Sequence, residues 1–219
     1  MVTANPSDLF FGCYARFETV DKKAGAALVG PDNAVGDIGE IVWDTDSDKH
    51  QQAWLQNPYG DCFAFFDKHT SYKLAIYRAK GWIIKYVLSF TAYSEQPDPG
   101  VYWGQAAIIA YPKRYEETFS TFLQSFAHAT GEGLRPDPEL NPSLIQQILN
   151  DPQSWKPSQK VKFPKDSKGT VILKDHRSLH DKLLDQGRQR NIGCFIASWV
   201  FLLGVVALIA YVAHVFGLF

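Results

Sequence analysis

Residues 192–215, IGCFIASWVFLLGVVALIAYVAHV, constrain this chain more than any other stretch, because they contain no Asp, Glu, Lys or Arg. A helix rises about 1.5 Å per residue, so roughly 20 residues cross a hydrocarbon core of about 30 Å. Apolar side chains would occupy every face of such a helix, which predicts a transmembrane helix over a buried core helix. The first ten residues, MVTANPSDLF, carry Asp8 and no basic residue. Signal peptides start basic, so the apolar segment is expected to act as a tail anchor with one crossing.

Charge is distributed unevenly along the chain. Residues 1–155 hold 12 Lys plus Arg against 19 Asp plus Glu, whereas residues 156–191 hold 10 against 4. The overall charge of −1 therefore combines an acidic head with a basic neck. Under the positive-inside rule the N-terminal domain is expected in the cytoplasm, giving a single-pass membrane protein. Residues 192–219 would contact membrane lipids, and the neck would attract anionic headgroups. An acidic head argues against nucleic acid as a partner. The expected organisation is a cytoplasmic α+β domain over 1–155, a basic juxtamembrane linker with a short helix over 156–191, and the transmembrane helix over 192–215.

Within the head, the pattern predicts an α+β fold: an antiparallel sheet covered by an aromatic-rich helix. Residues 10–17, 24–29, 38–43, 62–66 and 101–111 read as strands, and residues 50–55 as a short helix. Residues 72–78, YKLAIYR, alternate Tyr72, Leu74 and Ile76 with polar positions, which predicts a strand. The connection 79–81 then reads as a hairpin into the strand 82–93, with Ile84, Tyr86, Leu88, Phe90 and Ala92 on one face. From 112 to 130, Tyr115, Phe119, Phe122, Leu123 and Phe126 recur at helical spacing. Their aromatic stripe is the expected cover of the sheet, with Gly131 and Gly133 as its stop. A second helix follows Asn141-Pro142. Residues 161–163 and 170–173 suit edge strands, and residues 175–186 a short helix.

The motifs that could carry chemistry are incomplete. Asp44, Asp46 and Asp48 match the opening of a calcium loop, but Lys49 stands where Gly is needed and Leu55 where the bidentate Glu belongs. His176 and His180 have zinc spacing on a helix, but Arg177 takes the place of the Glu in HEXXH. Cys62, Asp67 and His69 are the residue types of a thiol nucleophile system without its flanking signature. Cys13, Cys62 and Cys194 include no CxxC pair, and a cytoplasmic setting disfavours a disulfide. No catalytic, metal or cofactor residue is assigned.

These observations imply a membrane-anchored recognition or adaptor protein that localises a complex with a protein or small ligand. Tyr59, Tyr72 and Trp103 are candidate contacts. Gly193 with Ala197, and Ala213 with Gly217, form small-xxx-small pairs that permit a homo-oligomer. One alternative is a membrane-disrupting effector that oligomerises through this helix. Another is a membrane-bound hydrolase.

Overall fold

The computed structural model describes residues 8–45, 51–157, 160–164, 169–188 and 199–205. The chain divides into two compact units, Met1–Arg177 and Ser178–Phe219.

The first unit is built on a closed barrel. Its elements are β1 (Phe11–Glu18), α1 (Lys22–Val29), β2 (Ile38–Thr45), β3 (Gln51–Gln56), β4 (Cys62–Phe66), α2 (Lys68–Ala79), β5 (Trp82–Ser94), β6 (Val101–Pro112), α3 (Glu116–Gly131), α4 (Pro142–Asn150) and β7 (Thr170–Lys174). Strands neighbour one another in the order β2-β3-β4-β1-β6-β5, and β5 returns to β2. All pairings are antiparallel. The closing contact sets Ile38 against Val87 and Glu40 against Lys85. Beyond the closure, the far end of β5 carries β7 as a seventh strand, with Ser94 opposite Thr170.

The expected open sheet covered by one helix is therefore corrected: six strands close on themselves, and the helices pack outside or at the ends. Barrels of about eight strands are just filled by side chains, and this narrower one is filled by aromatics. Phe17, Phe66 and Tyr86 lie inside with Leu55, Leu88 and Ile108, all at most 1 % exposed. Tyr86 donates its hydroxyl to the carbonyl of Gln56 at 3.1 Å. Gly39 lies against it, and a Cβ there would sit 2.3 Å from the Tyr86 oxygen and 2.4 Å from the Gln56 carbonyl. Glycine is what lets β2 reach β5 past the buried ring. Leu28 of α1 and Leu74 of α2 complete the same cluster.

The other face of the wall belongs to α3. Along β6, Ala106 and Ile108 point into the barrel, while Ala107, Ile109 and Tyr111 meet α3. Phe119, Phe122 and Phe126 are fully buried there. Three such side chains contribute roughly 5–9 kcal/mol before ordering entropy is charged. Ile145 and Ile148 of α4 extend this core, and the Trp155 ring lies 5.1 Å from Phe122 and 5.7 Å from Phe126.

Local chemistry decided several elements against the sequence reading. Residues 24–29 form part of α1, not a strand: Asp21 caps it by accepting from the Ala24 amide at 2.7 Å, and alanine favours the helix. Residues 72–78 belong to α2, where Asp67 accepts from the Thr70 amide at 2.6 Å. Only Ser71 and Leu74 of that helix are buried, too few to leave a clear helical stripe. Gly81, at φ +72°, ends the turn after α2 in place of the expected hairpin. Residues 51–56 are strand β3, not a helix. A bulge at Ser89 breaks the alternation of β5, so Leu88 faces Ala106 inside while Phe90 turns outward beside Gln105. Residues 170–174 form a strand, whereas 161–163 do not.

In the second unit, α5 spans Leu179–Arg188, with Ser178 and Asp181 exchanging hydrogen bonds at its start. Residues 199–205 are helical, and the rest of the 192–215 segment lies outside the described residues. Among the described residues, no helix is long and apolar enough to cross a membrane. The expected transmembrane helix, tail anchor and single-pass location are corrected on this finding.

Candidate recognition surface

The residues weighed for catalysis do not assemble. Cys62 starts β4 and Asp67 follows its end, so the strand holds them apart by roughly 16 Å at about 3.3 Å per residue. Asp67 is occupied as the α2 cap, and His69 lies exposed in the first turn of that helix. Burial, and the charges of Asp44 and Asp61, push the Cys62 thiol up, which opposes a thiolate. Cys13 and Cys62 are both free thiols.

His176 precedes α5 and contacts Asp175 at 2.6 Å, while His180 lies on the helix in the other unit, so the two share no helical face. Asp44 accepts its neighbour's amide at 2.7 Å, and Asp46 and Asp48 lie outside the described residues. Among the described residues, no group of three metal-ligating side chains gathers.

Two other features stand out on the first unit. Residues 134–140 cross the barrel wall outside β1, where the Tyr14 hydroxyl donates to the Pro136 carbonyl at 2.7 Å. Arg135, only 3 % exposed, fastens this crossing. Its guanidinium donates to Ser89 at 2.8 Å and to Gln105, and its carbon lies 3.9 Å from the Tyr14 ring centre. Phe90 and Phe163 add ring faces at 5.2 Å. Arg135 forms no ion pair among the described residues, so ring quadrupoles and neutral acceptors stand in for a carboxylate. Burial pulls its pKa down. The same burial, opposed in part by Arg135, pushes Tyr14 up to about 12. This is a packed clamp. The second feature is an open groove of about 520 Å³ beside α3, lined by Gln124, His128, Glu132, Leu134 and Trp155.

The α2 end of the barrel has a different character. Phe11 and Tyr77 stack at 4.5 Å, and Tyr77 meets Trp82 at 5.1 Å. Lys73 lies 4.7 Å over Phe11, Lys80 lies 5.4 Å over Tyr77 and 5.8 Å over Trp82, and Arg78 lies 5.1 Å over Trp43. Lys113 and Arg114 follow Pro112, which pairs directly with Trp82. These five cations make no ion pair among the described residues. Tyr72, 71 % exposed, and Ile76, 44 % exposed, stand one turn apart on the outer side of α2.

Of the three aromatic contacts weighed from sequence, Tyr59 and Tyr72 are exposed, whereas Trp103 is buried with its indole nitrogen donating to Ser94 at 2.8 Å. Reading residues 72–78 as a strand concealed the grouping of Lys73, Tyr77 and Lys80 on one side of a helix. A composition signal was present. Residues 68–115 carry seven Lys plus Arg and only Glu95 and Asp98 as acids, and both acids fall in the β5–β6 loop at the other end of those strands. Comparisons with protein-family models, curated proteins and solved structures find no match to this chain.

Proposed function

We propose that the barrel unit is a non-catalytic recognition module and that the α2 end is its docking face. One observation carries this reading: at one end of an otherwise acidic head, Lys73 and Lys80 flank exposed Tyr72 and Ile76 on α2, and with Arg78, Lys113 and Arg114 of the same end they make five cations without ion-pair partners among the described residues. An apolar centre with a polar rim and enriched aromatics is the usual anatomy of a protein interface. Arg78 donates to the Gln51 side chain at 3.1 Å, a neutral acceptor that leaves its charge unbalanced. Cations without a carboxylate are available to one on a second molecule, and aromatic faces beneath them hold the lysine and arginine heads in place.

The test is an amine-acylation footprint of the full chain, labelled in its host cells and again after purification. The expected result is protection of Lys73 and Lys80 in cells, with Lys22 and Lys23 of α1 labelled equally in both samples. Equal labelling of all four lysines in both samples would refute the docking face.

A further inference from the structure

Resting on that docking face, we infer that its partner is an acidic peptide segment of another protein, with an apolar side chain at its centre. Three observations point to this class. First, charge: the cations Lys73, Arg78, Lys80, Lys113 and Arg114 gather on a head whose residues 1–67 hold eleven acids against four bases. A short acidic segment is attracted by the patch, whereas a long polyanion would run on across like-charged surface.

Second, the ring faces are taken. Phe11, Tyr77 and Trp82 pack on one another and lie beneath Lys73 and Lys80. Binding of single-stranded nucleic acid without sequence preference relies on open aromatic faces on which bases stack, and this cluster offers its faces to cations instead.

Third, the exposed side chains suit an apolar anchor. Tyr72 and Ile76 form a small apolar centre one helical turn long, rimmed by Lys73 and Lys80. A Leu or Phe of the partner would seat there while its carboxylates meet the lysines.

The probe is a synthetic Glu-rich peptide with a central Leu-Phe pair, titrated against the full chain, beside an oligo-thymidine strand of similar charge. The peptide is expected to bind, and to bind more weakly as ionic strength rises from about 0.15 M toward about 1 M. Lys73→Glu with Lys80→Glu should weaken it about tenfold. Tyr72→Ala with Ile76→Ala should weaken it by a similar factor, and both sites are exposed enough to change without unfolding the barrel. Lys22→Glu with Lys23→Glu, on α1, should leave it unchanged. Peptide affinity unmoved by the Lys73 and Lys80 reversals would overturn the inference. So would oligo-thymidine binding more tightly through the same lysines. Protection of Lys73 and Lys80 in cells without any peptide binding would overturn the acidic partner while leaving the docking face standing.

Discussion

Gly39→Ala tests whether the barrel is closed. The added methyl would lie 2.3 Å from the Tyr86 oxygen and ring carbon and 2.4 Å from the Gln56 carbonyl. Tyr86 is 1 % exposed and fixed by its own hydrogen bond to that carbonyl, so it has little room to yield. Overpacking of this kind costs about 1–3 kcal/mol, and loss of the Tyr86 hydrogen bond adds about 1 kcal/mol. The sum is about 2–4 kcal/mol, read as a lowered urea midpoint with an unchanged slope. Gly60→Ala is the matched control. Nothing lies within 4 Å of a Cβ there, and only its φ of +95° opposes the change, a strain of about 1–2 kcal/mol. In an open sheet, with β2 away from β5, the methyl at 39 would escape the Tyr86 ring and keep only its contact with Gln56 of the neighbouring β3. A Gly39→Ala chain as stable as wild type, or no less stable than the Gly60 control, would refute closure.

Other outcomes follow from the same packing. Phe122→Ala, at a fully buried site between Phe10 and Trp155, should cost about 3–5 kcal/mol in thermal or urea unfolding. Arg135→Met keeps the volume and removes a desolvated charge, so it should stay within about 1 kcal/mol of wild type, while Arg135→Ala should lose about 2–4 kcal/mol. Alkaline pH should destabilise the fold. Burial, opposed in part by Lys73, pushes the Cys13 thiol from 9.0 to about 11, so its stabilisation is full below about pH 9 and is lost as pH rises toward 11. Tyr14 and Tyr111, both pushed from 10.0 to about 12, carry the decline further. Urea midpoints from pH 8 upward should show this fall, and Cys13→Ala should flatten its first part.

Strong periodicity proved legible, and closure did not. The Phe119, Phe122 and Phe126 stripe was readable because all three rings face one core at helical spacing. The strands of β5 and β6 were readable from their β-branched and aromatic runs. What alternation cannot show is a bulge: one extra residue at Ser89 sends Phe90 to the opposite face. Nor does it show which strand meets which, since the Ile38–Val87 contact joins positions far apart in the chain. In α2, a burial face of only two residues left Tyr72, Leu74 and Ile76 to imitate a strand. The docking face was missed with that helix, although its charge imbalance lay open in the composition.

Closure has a consequence for behaviour at high concentration. Six strands pair on both sides, which leaves β7, five residues long, as the outermost strand of the sheet among the described residues. Its register slips by one residue between its pairings with Thr91 and Ala92, and it ends in Lys174. A long, regular sheet edge is what templates stacking of one molecule on the next, and shortness and an irregular register each interrupt that template. The described strands of the barrel unit therefore offer a poor template for fibril growth.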